Sequence, residues 1–225
     1  MGKTSDAPPR SPGPRDRRLI RGEVSREKIL ATAVQVFGTQ GYRGGSLREI
    51  AQRVGISEAG LLHHFGSKAG LLAAVLAERD RIDAERRARD EAEGTGLVDS
   101  MRHQVSRNAA APGLVGLHVI VSAEATEPEH PAHELFRERY RGLRAQDRDG
   151  FRELVDSRAI RADVDHDKIG AITSAVMDGL QLQWLLDPEL VDMPDLFEHF
   201  LQLLGAGPEQ PPSGDTGSRG ATDAS

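Results

Sequence analysis

The stretch SLREIAQRVGISEAGLLHHF, residues 46–65, decides the fold of this chain. It opens with Ser46-Leu47-Arg48-Glu49, a capping-box pattern in which the serine hydroxyl caps the third amide and the glutamate returns to the cap amide. Gly55 ends this helix, and Ser57 begins a second one that reaches about His64. The stretch therefore predicts two short helices joined by a very short turn.

The corner between these helices has the composition of a helix-turn-helix. Ala51 and Gly55 lie four residues apart. The apolar residues that flank them are Ile50, Val54, Ile56 and Leu61. Such a corner needs a small side chain where the helices cross, a glycine that can adopt positive φ, and apolar residues that fill the angle. A two-helix corner with no DNA role could use the same pair, so the spacing alone leaves both interpretations open.

The segments on both sides of this stretch also have the helical period. A preceding helix is predicted from Arg26 to about Gln40, and a fourth helix begins at Ser67 and continues to Glu93. Further helices are predicted at residues 97–111, 114–126, 132–157, 167–186 and 194–204, with proline or glycine at most breaks. No run alternates convincingly with a period of two, so we predict an all-α fold of about nine helices.

Composition excludes several classes of protein. The chain has 225 residues, 38% of them hydrophobic, which is enough to bury a core. It has no cysteine, which excludes disulfides, thiol nucleophiles and cysteine-based metal sites. No GxSxG, HExxH, P-loop or dinucleotide-binding motif occurs in a fitting context, so we expect neither an enzyme nor a cofactor. No apolar run approaches the roughly 18 residues of a membrane span, and no apolar signal core is present, so we expect a cytoplasmic protein without a membrane partner.

Charge is distributed unevenly along the chain. Residues 1–72 contain 12 Lys and Arg against 6 Asp and Glu, whereas residues 73–225 contain 17 against 29. A basic segment is typical of phosphate contact, and an acidic remainder is repelled by DNA. Residues 1–22 hold four prolines and six basic side chains, and residues 206–225 contain no Leu, Ile, Val or aromatic residue. Both ends are therefore predicted to be disordered, and the basic one could enter a DNA minor groove or remain solvated.

Residues 25–76 resemble the N-terminal domain of the TetR family of transcriptional regulators. The residues that carry the resemblance are Phe37, Gly41-Tyr42, Ser46 through Ala51, Val54 through Ser57, Leu61 through Phe65, Ser67-Lys68 and Leu71-Leu72. The sequence departs from the family pattern at Gly45, where a threonine is common, and at Leu62, which replaces a tyrosine.

The resemblance implies a DNA-binding domain at residues 23–70, with the helix from Ser57 to His64 in the major groove. The residues implied to face base edges are Ser57, Glu58, Ala59 and Gly60. The residues implied to contact the backbone or an adjacent base are Tyr42, Ser46, Arg48, His63, His64 and Lys68. For Glu58, a solvated charge at a helix start remains an alternative to a cytosine contact, and for His64 ring packing remains an alternative.

The resemblance also implies a helical effector-binding and dimerisation domain at residues 71–205. Because one reading head offers few contacts, a homodimer on a near-palindromic operator is expected. The implied dimer residues on the last two helices are Ile172, Val176, Leu180, Trp184, Phe197 and Leu201, and a purely internal core role for these helices stays open. The candidate contacts for a small-molecule effector are Met101, Gln104, His118, Ser122, Met177 and Gln181, each of which could instead be an ordinary core or surface residue.

The predicted function is a ligand-responsive repressor, and two other interpretations stay open. Residues 127–133 place carboxylates and imidazoles close together, which is compatible with a metal-responsive sensor, although an exposed acidic loop without a metal is favoured. The alternative function is a helical small-molecule-binding or scaffolding protein without specific DNA binding.

Overall fold

The computed structural model of the chain describes residues 14–207, with side chains from Arg26 onward. Within these residues there are nine α-helices and no strand, which confirms the predicted all-α fold. The helices are α1 (Pro14–Gly44), α2 (Leu47–Val54), α3 (Glu58–Phe65), α4 (Lys68–Ala92), α5 (Leu97–Ala109), α6 (Pro112–Glu124), α7 (His133–Asp156), α8 (His166–Leu186) and α9 (Met193–Leu203). None of the described helices is both long and apolar enough to cross a membrane.

The first helix is longer than predicted at its N-terminal end. It begins at Pro14, so the prediction of disorder is wrong for residues 14–22, and residues 1–13 lie outside the described residues. Proline suits the first turn of a helix because its φ is already close to the helical value and its missing N–H has no helical partner to lose. No further proline follows before the helix is interrupted at Gly41, where φ is 71° and ψ is −179°.

The chain forms two compact units. Unit 1 comprises the residues up to Arg86 together with Ala110–Gly142, and therefore includes α1, α2, α3 and α6. Its buried core combines the inner face of α1 with the helix-turn-helix corner and α4. The core residues from these elements are Ile29, Leu30, Ala33, Val36, Phe37, Ile50, Ala51, Val54, Leu61, Leu71, Leu72, Val75 and Leu76. These two units are defined by packing alone. The boundary near residue 70, between the predicted DNA-binding and effector-binding domains, stays a prediction.

Helices α1 and α6 cross at a backbone-to-backbone contact in unit 1. A Cβ atom added to Gly116 would lie 2.5 Å from the carbonyl oxygen of Gly38, and one added to Gly38 would lie 2.6 Å from the carbonyl oxygen of Gly113. Both distances are well below a normal van der Waals contact. The crossing therefore depends on glycine in both helices, and it places the C-terminal end of α6 beside the break in α1.

Unit 2 comprises Arg87–Ala109 together with the residues from Leu143 onward. Its core joins α5, the end of α7, α8 and α9 around Phe151, Met193 and Phe197. The core extends to Ala206, so the predicted tail of residues 206–225 begins too early. The backbone N–H of Ala206 donates to the Leu201 carbonyl, which holds the chain against α9 after that helix ends. Residues 208–225 lie outside the described residues.

Candidate nucleic-acid interface

Side-chain and glycine caps set the ends of α2 and α3. The Ser46 hydroxyl accepts a hydrogen bond from the Glu49 N–H at 3.4 Å, and the Ser57 hydroxyl accepts one from the Gly60 N–H at 3.0 Å. Gly55 adopts a left-handed conformation with φ 87°, which turns the chain sharply between the two helices. The predicted turn is therefore confirmed.

In the predicted capping box, the Glu49 carboxylate has partners other than the Ser46 N–H. The carboxylate of Glu49 pairs with Arg53 at 2.6 Å and accepts a hydrogen bond from Gln40 at 3.0 Å. Arg53 lies one turn further along the same helix face, where an opposite charge is a natural partner for Glu49. The glutamate thus ties α2 to itself and to α1.

Helix α3 contributes a single buried side chain to the core of unit 1. Leu61 is 1% exposed and packs under the helix-turn-helix corner. Around it, the side chains of Ser57, Glu58, Ala59, Leu62, His63 and His64 are exposed. A helix held by Leu61 and by the partly buried Phe65 at its end keeps most of its surface free for another molecule. The predicted base-facing residues Ser57, Glu58 and Ala59 lie on this free surface, while Gly60 is half-buried.

The residues predicted to contact the DNA backbone have two kinds of surroundings. Ser46 and Arg48 are exposed at the start of α2. Tyr42 and Lys68 are half-buried and lie together, with the Lys68 Nζ 4.8 Å from the centre of the tyrosine ring. Lys68 also donates a hydrogen bond to the Arg43 carbonyl at 3.2 Å. Burial lowers the pKa of the Lys68 ammonium below its usual value, and the nearby Glu124 carboxylate opposes this shift.

The two departures from the family pattern have different structural settings. Gly45 is buried, and a Cβ atom there would lie 2.7 Å from the ring of Phe37 and 2.9 Å from the Gly41 carbonyl. A threonine therefore does not fit this corner as it stands. Leu62 is 36% exposed on the outer side of α3, so a larger side chain would be accommodated there.

Sequence reasoning missed two residues beside this surface, Arg43 and Glu124. The exposed Arg43 guanidinium pairs with Glu127, and the Glu124 carboxylate accepts hydrogen bonds from the backbone N–H groups of Tyr42 and Arg43. Glu124 is the last residue of α6. An acidic side chain at a helix C-terminus opposes the helix dipole, and that unfavourable position is the signal that could have drawn attention to it.

The loop of residues 127–133 is not the fully exposed acidic loop that sequence analysis favours. Glu127 and Glu129 are exposed, but His130 is buried and its ring packs edge-on against Tyr42 at 5.0 Å. His133 contacts the Ala125 carbonyl at 2.8 Å. The described residues contain no group of three His, Asp or Glu side chains that could hold a metal ion.

The predicted effector contacts are divided between the two units. In unit 1, His118 is buried and its Nδ1 lies 2.9 Å from the Arg79 guanidinium, while the Ser122 hydroxyl donates to the Val119 carbonyl. In unit 2 lie Met101, Gln104, Met177 and Gln181. Gln181 is 3% exposed, and among the described residues its side-chain carbonyl has no hydrogen-bond partner.

A cleft in unit 1 lies between α1, α4 and α6. Its volume is about 430 Å³, and apolar side chains such as Leu30, Val34, Ile82 and Leu114 line it together with Arg86. This volume falls within the range of small-molecule sites in proteins. None of the six predicted effector contacts lines it, and His118 approaches it only through its contact with the lining residue Arg79.

The predicted dimer residues do not all lie at a surface. Ile172 is 49% exposed, and Val176, Leu180 and Trp184 are half-buried. Phe197 and Leu201 are each 1% exposed and belong to the core of unit 2. They are therefore core residues, and the prediction of them as contacts to a partner subunit is corrected. The reason is that α9 has apolar residues on two faces, and these two occupy the inner one. Its outer face carries Leu196 and Leu203.

Comparison with known proteins agrees with this geometry. The sequence profile described as bacterial regulatory proteins of the tetR family matches residues 29–75, and that of the BetI-type transcriptional repressor C-terminal region matches residues 96–205. The HTH-type transcriptional repressor AcnR of Corynebacterium diphtheriae is 30% identical over 160 residues, which cover 69% of this chain and 78% of AcnR.

The chain belongs to the TetR family. The HTH-type transcriptional regulator UidR of Escherichia coli is a further relative, 33% identical over 110 residues, which cover 48% of this chain and 56% of UidR. A transcriptional regulator from Saccharomonospora viridis, in complex with choline, has the same fold with a TM-score of 0.69 and 21% identity, covering 80% of this chain and 96% of that one. FadR from Bacillus subtilis, in complex with stearoyl-CoA, has a TM-score of 0.65 and 17% identity, covering 79% and 96%.

Membership of the TetR family confirms the predicted family and identifies the protein as a DNA-binding transcriptional regulator. The family and the matched relatives are regulators and not enzymes. TetR-family regulators bind DNA operators and small-molecule effectors. Helix α3 lies within the region that matches the tetR-family profile.

Proposed function

We propose that this protein is a ligand-responsive repressor that binds a near-palindromic operator as a homodimer, with α3 in the major groove. The observation that carries the proposal is the exposure of α3 around its one fully buried residue, Leu61. Eight helical residues extend about 12 Å, a length that fits a major groove of similar width. The repressor AcnR, 30% identical to this chain, supports repression as the direction of regulation.

In this proposal the two capping serines have a second role. Ser46 and Ser57 each use a hydroxyl lone pair to cap a helix, and their O–H groups remain available to donate to DNA acceptors. The proposed backbone contacts are Tyr42, Ser46, Arg48, His63, His64 and Lys68, and the proposed base-facing residues are Ser57, Glu58, Ala59 and Gly60. The exposed acceptor Glu58 favours a cytosine amino group as its partner.

Selection from random double-stranded DNA tests the proposal. The full-length protein is incubated with a random library at low salt, and the retained pool is sequenced. We expect enrichment of a palindromic sequence, because a symmetric pair of reading heads contacts two identical half-sites. Retention without any sequence enrichment would instead favour a helical ligand-binding or scaffolding protein.

The proposed dimer surface is formed by α8, α9 and the turn between them. Six of the eight large hydrophobic side chains that are exposed in the described residues lie in this region. They are Ile172, Leu182, Leu186, Leu190, Leu196 and Leu203. Exposed apolar side chains concentrated on adjacent elements are typical of an interface with another subunit. This surface retains Ile172 from the predicted set and replaces Phe197 and Leu201 with their exposed neighbours on α9.

We expect Leu186→Asp to weaken the proposed dimer. Leu186 is 77% exposed, so an aspartate costs little in the folded monomer but places a charge in an apolar interface. Sedimentation equilibrium should show dimerisation weakened at least about tenfold, the loss typical of disrupting a hot-spot residue. Leu135→Asp on α7 is the matched control, since Leu135 is 41% exposed in unit 1 and should leave dimerisation unchanged. Equal dimerisation of both variants would place the interface elsewhere.

Among the predicted effector contacts, we propose Gln181 as the main one. A buried carbonyl without a hydrogen-bond partner among the described residues is costly, and a ligand that donates a hydrogen bond would satisfy it. Met177 lies one turn away on α8 and is adaptable in shape. The proposed effector is therefore a largely apolar molecule with at least one hydrogen-bond donor.

The substitution Gln181→Leu distinguishes a role of Gln181 in effector binding from a structural role. Without ligand, we expect the variant to be more stable by about 1 kcal/mol, because an unsatisfied buried polar group is removed. Native mass spectrometry of protein purified from its own cells should show a small molecule on the wild type and none on the variant, and thermal unfolding measures the stability. A variant that keeps the molecule would argue against Gln181 and in favour of the cleft between α1, α4 and α6.

A further inference from the structure

A carboxylate from α6 occupies the break in α1. The Oε2 atom of Glu124 accepts a hydrogen bond from the Tyr42 backbone N–H at 2.6 Å, and its Oε1 atom accepts one from the Arg43 N–H at 3.3 Å. An interruption in a helix leaves the following N–H groups without helical carbonyl partners, and a carboxylate is a strong acceptor for such groups. Glu124 thus substitutes for the carbonyls that α1 loses at Gly41.

The sequence at the break is suited to this contact. Gly41 has φ 71°, a conformation that favours glycine, and a Cβ atom there would lie 2.6 Å from the Glu124 carboxylate. The backbone conformation therefore favours glycine at this position, and a Cβ atom there would displace the end of the Glu124 side chain from its present place. Glu124 lies at the C-terminal end of its own helix, where an acidic side chain is unfavourable. Its contacts with α1 account for a residue that α6 alone would not favour.

His130 closes the side of the site. Its Nδ1 accepts a hydrogen bond from the Ala132 N–H at 3.2 Å, so a neutral ring carries its proton on Nε2. That Nε2 atom lies 3.8 Å from the Glu124 carboxylate. Burial lowers the pKa of the His130 imidazole, and the nearby Glu124 carboxylate opposes this shift. Glu124 is thus enclosed between the backbone of α1 and an imidazole.

The residues held by Glu124 continue directly into the proposed DNA surface. The ring of Tyr42 contacts Lys68, whose ammonium also bonds to the carbonyl of Arg43. Further along the chain, the Gly45 N–H donates a hydrogen bond to the Gly41 carbonyl at 3.1 Å. The residue that follows Gly45 is Ser46, which caps α2. A shift at the Gly41 break therefore moves Tyr42, Lys68 and Ser46 together.

We propose that Glu124 is a positioning residue for DNA binding, which holds residues 41–46 in the geometry that presents Tyr42, Ser46 and Lys68 to the DNA backbone. The inference rests on the proposed function of these residues. It also makes the end of α6 a direct connection to the reading head within unit 1, because one side chain joins the two. Glu124 itself does not contact DNA.

Two substitutions of Glu124 and one matched control test the proposal. Glu124→Ala removes both acceptor oxygens, and Glu124→Gln keeps one. Glu127→Ala is the control, because Glu127 pairs with the Arg43 guanidinium and not with a backbone N–H. Amide hydrogen exchange of Tyr42 and Arg43 is followed by NMR in the DNA-free protein, and affinity is measured on the operator obtained by selection.

For Glu124→Ala we expect both amides to exchange at least about tenfold faster and operator affinity to fall at least about tenfold, because the segment that presents the contacts loses its restraint. For Glu124→Gln the Tyr42 amide should stay protected while the Arg43 amide exchanges faster, with an intermediate affinity. The control should resemble the wild type in both measurements. If Glu124→Ala does not fold, Glu124→Gln still tests the proposal, because its Tyr42 amide should stay protected while its Arg43 amide exchanges faster.

The outcomes distinguish this inference from the proposed function. Operator binding by folded Glu124→Ala at wild-type affinity would overturn the positioning role and leave the proposed function intact. A wild type that binds no DNA sequence would overturn the proposed function. Unchanged exchange of both amides in the Ala and Gln variants would overturn the hydrogen-bonding role of Glu124, whatever the DNA result.

Discussion

Ala59→Asp is expected to lower operator affinity at least about 100-fold, which corresponds to about 2.7 kcal/mol. Ala59 is exposed in the first turn of α3, in the part of the helix proposed to face the base edges. An aspartate there adds a negative charge within a groove lined by phosphates and occupies space needed by the bases. The folded state should tolerate it, since the first turn of a helix accepts an acidic side chain.

Fluorescence anisotropy on the selected operator measures the affinity, and thermal unfolding measures the stability. Ala145→Asp is the control, because Ala145 is an exposed alanine on α7 that belongs to unit 2. It adds the same charge and should bind the operator nearly as well as the wild type. If Ala59→Asp is as stable as the wild type and still binds tightly, α3 does not enter the groove.

Gly116→Ala is expected to destabilise the protein by about 3 kcal/mol, at the upper end of overpacking costs. The added methyl group would lie 2.5 Å from the carbonyl oxygen of Gly38. No rotamer change can relieve a contact between a Cβ atom and a backbone atom, so α1 and α6 must move apart. Their separation would also displace Glu124 from the break at Gly41, and operator affinity should fall as well.

Chemical denaturation measures this loss of stability. Gly142→Ala is the matched control, since Gly142 lies within α7 and a Cβ atom there meets nothing within 4 Å. Replacing a helical glycine with alanine at an open site should stabilise the helix by about 0.5–1 kcal/mol. A Gly116→Ala variant as stable as the wild type would mean that the crossing is looser than the structure describes.

The helices could be predicted because their ends are encoded locally. Ser46, Gly55 and Ser57 each cap a helix through a neighbour no more than four residues away, so the sequence contains the whole interaction. The start of α1 is different, because the composition of residues 1–22 is that of a disordered segment. Only the helix-compatible position of Pro14 argues the other way.

The contacts of Glu124 could not be predicted in the same manner. Its carboxylate and the Tyr42 amide are 82 positions apart, and only the crossing of α1 and α6 brings them together. On α9, Phe197 and Leu196 are both apolar, and the sequence does not state which face meets the core of its own unit. The structure assigns Phe197 to that core and leaves Leu196 exposed.

The small contact between α3 and the core affects how readily this protein could acquire a new target. Because Leu61 and the partly buried Phe65 tie the helix to the core, exchanges at positions 58, 59, 62, 63 and 64 should leave the scaffold intact. The side chains proposed to determine DNA specificity are therefore different from those that hold α3 to the core. A combinatorial library at these five positions should consist largely of folded members, from which regulators for unrelated promoters could be recovered.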